Sequence, residues 1–155
     1  MVNNLLEALD HFKKEINDNF VVGGSLALYQ HGFDIVPHDI DLELETTDEE
    51  IVKRLELLNA TFSDFSSACH YPKRDNHYRF RFYGVIFDVW VVKKIDYKRW
   101  MWKDYIRYAD IMSVFRKKMS MQRVKDYIDL LKYSEQIQSI GRNYDKMEQE
   151  ARSDF

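Results

Sequence analysis

Residues 39–45 read Asp-Ile-Asp-Leu-Glu-Leu-Glu, so acidic and aliphatic side chains alternate strictly along this segment. Such alternation predicts a β-strand with two unlike faces, because successive side chains of a strand point to opposite sides of a sheet. The three aliphatic residues would face a core, and Asp39 and Asp41 would share the other face. The chain therefore has to build a sheet with an apolar face that other elements cover.

Helices are predicted on both sides of this strand in the sequence. Apolar residues recur at helical spacing over residues 4–18, residues 26–31 have a helical pattern that stops at Gly32, and Thr47 would cap a third helix of about three turns. From about Lys103 the pattern is helical, with Ser120 as a candidate cap of the last helix and Gly141 as its end.

Further strands are predicted at residues 20–22, 77–83 and 85–92. The last two are aromatic and β-branched runs separated only by Gly84, which favours a hairpin. Residues 61–76 are predicted to be rich in loops. The fold class predicted from this order is α+β (mixed α/β), a mixed sheet with helices packed against it.

The length of 155 residues and the hydrophobic content of 45% suit one hydrophobic core. We expect a single domain over residues 1–141, followed by a polar C-terminal tail over residues 142–155. No apolar run approaches the roughly 20 residues of a membrane span, and the N-terminus lacks the hydrophobic stretch of a signal peptide. The single cysteine, Cys69, excludes an intramolecular disulfide and suits a reducing compartment. A cytoplasmic protein with no membrane partner is therefore expected.

Charge is unevenly distributed, although the net charge is only −3. Residues 34–50 contain eight acids and neither Lys nor Arg, whereas residues 93–125 contain eleven bases and three acids. The first segment could hold cations and the second could hold phosphates. Two differently charged solvent faces would give the same counts, so charge alone leaves both interpretations open.

The sequence Val22-Gly23-Gly24-Ser25 lies between a predicted strand and a predicted helix. Glycines allow the backbone to approach a ligand closely, and the N–H groups at a helix start attract anions such as phosphate. Ser25 adds a hydroxyl donor at the same position. A simple strand-to-helix turn is the alternative interpretation, which this motif alone does not exclude.

Three aspartates are candidates for a cation site. Asp39 and Asp41 would hold two carboxylates close together, which favours a bound cation or a raised pKa, and oxygen ligands select hard cations such as Mg²⁺ or Mn²⁺. The solvated outer face of an edge strand is the alternative. Asp88 lies in an apolar run, where an unpaired carboxylate is costly. A metal role, or a salt bridge to Arg79 or Arg81 on the neighbouring strand, would each account for it.

The order of these features resembles the nucleotidyltransferase superfamily, which shares its catalytic core with DNA polymerase β. In that family a hydrophobic residue and a Gly-Gly or Gly-Ser pair precede an Asp-x-Asp/Glu motif between apolar residues. Residues 22–25 and 38–42 match this pattern, and Asp88 matches the third carboxylate. Several small bacterial members, similar to lincosamide and aminoglycoside nucleotidyltransferases and to abortive-infection toxin proteins, carry a late Lys or Arg followed by Asp-x-x-Asp-Leu. Residues 123–130 match that motif, so the resemblance covers roughly residues 20–131.

The resemblance implies a nucleotidyltransferase fold, with a mixed, mostly antiparallel sheet packed against helices and further helices at the C-terminal end. It implies metal-dependent transfer of a nucleoside monophosphate from an NTP to an acceptor hydroxyl, with release of pyrophosphate. Asp39, Asp41 and Asp88 would bind Mg²⁺ or Mn²⁺ and carry the catalysis. The residues assigned to binding the NTP phosphates are Gly23, Gly24, Ser25, Lys118 and Lys125.

The acceptor stays open at this point. A small molecule such as an antibiotic and a partner protein are both candidates, and long nucleic acids rank last because a short single domain lacks a separate RNA-binding module. A toxin–antitoxin component that modifies a partner protein or a tRNA is one alternative. A catalytically silent interaction module with the same fold is another, although retention of all three acids argues against it.

Aromatic residues interleave with bases between Tyr97 and Tyr108. This pattern predicts a helix that packs its rings on the sheet. A nucleic-acid surface, on which the rings stack with bases, is the alternative.

Overall fold

The computed structural model describes residues 2–58 and 76–153. Cys69 and the predicted loop-rich stretch, apart from Asn76, lie outside these ranges. The chain divides into two compact units, one ending at Val114 and the other beginning at Phe115. In chain order the elements are α1 (Val2–Glu15), β1 (Phe20–Val22), α2 (Gly24–Gln30), β2 (Asp39–Glu45), α3 (Asp48–Leu57), β3 (His77–Phe82), β4 (Val85–Val92), β5 (Trp100–Lys103), β6 (Ile106–Ala109), α4 (Ile111–Met121) and α5 (Val124–Ser153).

The six strands of the described residues form one mixed sheet in the order β3-β4-β2-β1-β6-β5. Three neighbouring pairs are antiparallel, whereas β2–β4 and β1–β6 are parallel. The prediction of a mixed, mostly antiparallel sheet with helices is therefore confirmed. In the β2–β4 pair, Asp41 lies directly opposite Asp88, so the two acidic motifs meet inside the sheet rather than at its edge.

Strand β2 has the bounds that its alternating pattern predicted. Its aliphatic residues Ile40, Leu42 and Leu44 are at most 1% exposed, because they face the core as the alternation requires. Thr47 then caps α3 by accepting a hydrogen bond from the Glu50 N–H at 3.2 Å. Local sequence therefore determines both the strand and the helix that follows it.

Helix α1 supplies aromatic packing for the sheet. The ring of Phe12 is fully buried and stacks on Phe87 of β4 at a centroid distance of 5.1 Å. It also meets Phe20 of β1 edge to face at 5.4 Å. A third edge-to-face contact, at 6.4 Å, is made with Phe82 of β3. These geometries are favourable for aromatic pairs, so this one side chain joins α1 to three strands.

The hairpin predicted at Gly84 is confirmed. Tyr83 and Gly84 have φ values of +51° and +73° and connect Phe82 to Val85, which face each other at the ends of β3 and β4. Positive φ at both central residues is the condition of a type I′ turn, the turn that suits the twist of a two-residue hairpin.

A second hairpin replaces the helix that the sequence predicted from about Lys103. Strands β5 and β6 are antiparallel and are joined by Asp104 and Tyr105, whose φ values are +49° and +64°. Strand β6 lies parallel to β1, and Tyr108 on it is 1% exposed. This hairpin was not predicted because its turn lacks the Asn-Gly or other Gly-containing pair that usually marks such a hairpin.

The second unit contains most of α4 and all of α5, separated by Gln122 at a φ of +52°. Helix α5 continues through Gly141, so the predicted helix end there is wrong; glycine inside a helix costs only about 1 kcal/mol. Ser120 lies within α4, where its hydroxyl donates to the Lys117 carbonyl at 2.6 Å, and it does not cap α5. The domain boundary at residue 141 stays a prediction.

Candidate functional site

The structure brings together the three aspartates that the sequence singled out. Asp39 and Asp41 project from the same face of β2, and Asp88 on β4 lies opposite Asp41. One carboxylate oxygen from each residue lies within 4.8 Å of the other two. Asp39 and Asp41 are half-buried, and Asp88 is 2% exposed. We call this cluster the acidic triad.

The acidic face of β2 is not the outer face of an edge strand, because β2 lies between β4 and β1. Farther along this face, Glu43 is 7% exposed and accepts a hydrogen bond from the Asp96 N–H at 3.3 Å. The segment before β5 therefore covers this part of the strand. The interpretation of Asp39 and Asp41 as a solvated edge is wrong.

Asp88 has two cationic or polar partners on β3. Nε2 of His77 donates to Asp88 Oδ1 at 3.0 Å, and the Arg79 guanidinium donates to Oδ2 at 3.3 Å. His77 is itself buried and stacks on Trp90 at 4.2 Å, which holds its ring in place. The salt bridge that was the alternative interpretation of Asp88 is therefore formed, with Arg79 as the partner. It coexists with the acidic triad.

His77 was missed by reasoning from the sequence. Its signal is faint: it lies two residues before Arg79, so the two side chains share a face of β3. Only the pairing of β3 with β4 shows that this face meets Asp88.

The donor set of the acidic triad fits a hard divalent cation. Magnesium–oxygen bonds are about 2.0–2.1 Å long, so two oxygens bound to one ion lie at most about 4.2 Å apart. The three carboxylates are already within 4.8 Å of one another and would need only small side-chain rotations. Arg79 already offsets the charge of Asp88, and a cation would relieve the repulsion that remains among the three carboxylates in this partly buried place.

The glycine pair is required by the packing of the site. Gly24 has a φ of +58°, and a Cβ there would overlap the Asp41 carboxylate. A Cβ on Gly23 would lie 2.6 Å from the Tyr97 hydroxyl oxygen. The Gly23 N–H also donates to the Asp41 carbonyl at 2.8 Å, which ties the turn to β2. The two glycines therefore let the triad and a tyrosine approach the backbone directly.

Ser25 lies in the first turn of α2 and is half-exposed. The backbone N–H groups in the first turn of a helix have no acceptor within the helix, so groups of this kind can donate to a ligand. Helix α2 has only seven residues and no side-chain cap at Gly23. Any phosphate contact here would thus come from local donors and not from a long helix dipole.

Tyr97 is a further residue of the site that the sequence did not single out for a role there. It is 9% exposed, and burial, together with the nearby charges of Glu43 and Asp41, raises the pKa of its phenol. The hydroxyl therefore keeps its proton and offers a donor beside an acidic cluster.

The basic candidates Lys118 and Lys125 lie in the second unit. Lys118 donates to Asp129 on α5 at 3.4 Å, and Lys125 is an exposed residue of the first turn of α5. Their assignment to the triphosphate stays a prediction.

The motif that contains Lys125 begins with a structural pair. Arg123 binds both carboxylate oxygens of Asp126, with Nε–Oδ2 and Nη2–Oδ1 distances of 2.7 and 2.8 Å. The Asp126 side chain is 1% exposed, so this pair helps to fix the start of α5.

Comparisons with known proteins support the fold. A proposed nucleotidyltransferase from Thermotoga maritima, TM1012, is similar over 84% of this chain and 92% of its own, with 19% identity and a TM-score of 0.50. JHP933 from Helicobacter pylori is similar over 89% of this chain and 68% of its own, with 13% identity and a TM-score of 0.55. The chain has a nucleotidyltransferase-like fold.

The sequence itself matches no protein-family model and no curated protein. Within residues 2–58 and 76–153, no helix is both long and apolar enough to cross a membrane.

Proposed function

We propose that the protein is a metal-dependent nucleotidyltransferase. It would transfer a nucleoside monophosphate from an NTP to the hydroxyl of a small molecule or a partner protein and release pyrophosphate. The observation that carries this proposal is the close approach of Asp39, Asp41 and Asp88 in a chain with a nucleotidyltransferase-like fold.

The charge of the acidic triad explains why divalent cations belong to the proposal. A triphosphate is itself strongly negative, so three carboxylates would repel it unless cations lay between them. Asp39 and Asp41 on β2 would be ligands of Mg²⁺ or Mn²⁺, and Asp88 on β4 would complete the set. Bound there, the ions would neutralise the phosphate charge and lower the pKa of the acceptor hydroxyl.

Asp88 is suited to act on the side of the acceptor. In the reaction the acceptor oxygen bonds to the α-phosphorus, the bond to pyrophosphate breaks, and the hydroxyl loses its proton. We assign the capture of that proton to Asp88. His77 and Arg79 hold its carboxylate in one orientation, and each carboxylate oxygen still has a second lone pair.

The nucleotide would lie against the turn that precedes α2. Gly24 abuts the Asp41 carboxylate, so donors at Gly24 and Ser25 are next to the triad. We assign the β- and γ-phosphates to this turn. Lys118 and Lys125 are assigned to the triphosphate because both lie in the basic segment 93–125, and Lys125 also lies in the late family motif.

Incubation of the purified protein with Mg²⁺ and each NTP in turn tests the proposal. Pyrophosphate release and the mass of the protein, or of added acceptors, are measured. Asp39→Asn and Asp88→Asn should each lower the rate about 100-fold or more while circular dichroism stays unchanged. Glu45→Gln, at the end of the same strand, is the matched control and should keep the wild-type rate. Wild-type turnover in both aspartate variants would show that these residues do not carry the reaction.

A catalytically silent interaction module is the second candidate, and one observation favours it. His77 and Arg79 already satisfy both oxygens of Asp88 without any ion. Titration calorimetry with Mg²⁺ and a non-hydrolysable NTP separates the two functions. Metal-dependent heat that is lost in Asp39→Asn supports the enzyme, whereas no heat with any of the four nucleotides supports the module.

A further inference from the structure

Strand β5 presents two exposed tryptophans on one face. Trp100 and Trp102 are 41% and 64% exposed, and their spacing of two residues places them on the same side of the strand. Strand β5 is the last strand of the sheet within the part of the chain that is described. Two large rings left in solvent side by side are typical of a binding surface, because they offer apolar area that folding did not bury.

Arg107 on β6 holds these rings in place. The central carbon of its guanidinium lies 5.2 Å from the ring centre of Trp100 and 5.8 Å from that of Trp102. The same guanidinium donates to the Phe20 carbonyl at 3.1 Å and to the Asn19 side chain at 2.9 Å. It is therefore fixed to the start of β1. The two rings and the guanidinium form a preorganised platform, which we call the Trp–Arg platform.

The surroundings of the Trp–Arg platform are basic. Residues 98–107, which contain β5 and Arg107, hold four Lys or Arg and one Asp, although the whole chain has a net charge of −3. Three of those bases are exposed: Lys98 and Arg99, which directly precede Trp100, and Lys103, which directly follows Trp102. Such a local excess of positive charge attracts a polyanion. It also opposes pairing of β5 with a strand of another protein, because lysines on an edge strand discourage such contacts.

We propose that the Trp–Arg platform binds single-stranded nucleic acid. Unpaired nucleobases would stack on Trp100 and Trp102. The surrounding Lys and Arg side chains would contact the phosphates of the nucleic-acid backbone. A duplex would be a poor ligand, because its bases are already stacked on one another. Binding here uses no residue of the acidic triad, so it holds or fails independently of the proposed activity.

Fluorescence anisotropy of a short fluorescein-labelled oligouridylate measures this binding at low salt. The Trp100→Ala/Trp102→Ala variant should bind at least about 5-fold more weakly for each ring removed, the lower limit for base–aromatic stacking. Affinity should fall as salt rises, with a logarithmic slope of about −0.7 for each phosphate contacted. Trp100→Phe/Trp102→Phe keeps aromatic faces and should restore most of the affinity.

Two matched charge reversals test the basic surroundings. Lys98→Glu/Arg99→Glu reverses two adjacent exposed bases beside the platform, and Lys53→Glu/Arg54→Glu makes the same change on α3. The first variant should lose about 10-fold or more in affinity. The affinity of the second variant should stay within about 2-fold of that of the wild type, because Lys53 and Arg54 lie on another element. Circular dichroism checks that all variants are folded.

Several results would overturn the proposal. Absence of binding at low salt would do so, as would equal affinity for a duplex of the same sequence or equal losses in the two charge reversals. Light scattering provides a further check. A dimer that dissociates in Trp100→Ala/Trp102→Ala would assign the surface to a second copy of the chain instead.

Discussion

Replacement of Gly24 by alanine tests whether the glycine turn is built around the acidic triad. The φ of +58° at this position costs an L-residue about 1–2 kcal/mol. The new Cβ would also overlap the Asp41 carboxylate, and displacing a packed side chain typically costs about 1–3 kcal/mol. We therefore expect the free energy of unfolding to fall by about 2–5 kcal/mol. In a chain of this size, Tm falls by about 2–4 °C for each kcal/mol.

Gly84 offers a matched control for the backbone part of this cost. Its φ is +73°, and a Cβ there would meet nothing within 4 Å. Gly84→Ala should therefore cost only the backbone strain, about 1–2 kcal/mol. The difference between the two variants, measured by urea unfolding followed by circular dichroism, gives the cost of displacing Asp41.

A double variant assigns that difference to Asp41 itself. In an Asp41→Ala background the carboxylate is gone and only the Cβ of residue 41 remains, 3.0 Å from the new atom, so the cost of Gly24→Ala should fall most of the way towards that of Gly84→Ala. If Gly24→Ala costs no more than Gly84→Ala in the wild-type chain, the packing argument is refuted. It is refuted equally if removal of the Asp41 carboxylate leaves the cost of Gly24→Ala unchanged.

Three further predictions concern the core, pH and metal. Phe12→Ala should lower the free energy of unfolding in urea by about 3–5 kcal/mol, because its buried ring joins α1 to three strands. A loss below about 1 kcal/mol would contradict this. Burial raises the pKa of Asp126, but hydrogen bonds and the charge of Arg123 outweigh it and lower the pKa below 3.8. Because the pKa of Asp126 is lower in the folded chain than its ordinary value of 3.8, ionisation of this carboxyl stabilises the fold fully above pH 3.8. This stabilisation is lost as pH falls through the folded pKa. The destabilisation by Arg123→Ala, measured in urea, should therefore be full at neutral pH and shrink below pH 3.8. Mg²⁺ at about 100 times its Kd should stabilise the wild type by about 2.7 kcal/mol in thermal unfolding, and the same shift in Asp39→Asn would place the ion elsewhere.

The parts of the fold that the sequence predicted are those encoded by local patterns. Strand β2 alternates without exception, Thr47 precedes an acidic helix start, and Gly84 separates an aromatic run from a β-branched one. In each case the backbone preference and the placement of apolar residues agree, so neighbouring residues are enough to determine the element.

The parts that it did not predict depend on contacts with distant residues. The β5–β6 hairpin turns at Asp104 and Tyr105, of which Tyr105 is an unusual residue at a positive φ, and the hairpin is placed by pairing with β1. Helix α5 continues past Gly141 although glycine often ends a helix. Local preference was weak at these places, and tertiary packing decided the outcome.

The candidate site likewise has one part that local sequence patterns predict and another that depends on contacts between distant residues. Strand periodicity alone places Asp39 and Asp41 on one face, and it makes Asp88 conspicuous in an apolar run. The meeting of Asp88 with Asp41 needs the parallel pairing of β2 with β4, which no local pattern contains. His77 and Tyr97 join the site through the same kind of pairing and packing, which is why neither was assigned a role there in advance.

The parallel pairing of β2 with β4 also dictates when the site comes into being as the chain is made. A ribosome delivers β2 first, then α3 and β3, and only afterwards the strand that bears Asp88. Until β4 has emerged and inserted beside β2, a nascent chain has two of the three carboxylates and lacks the partner that completes them. Cation binding should therefore arise abruptly with the completed sheet, and fragments that end before β4 should show none of it.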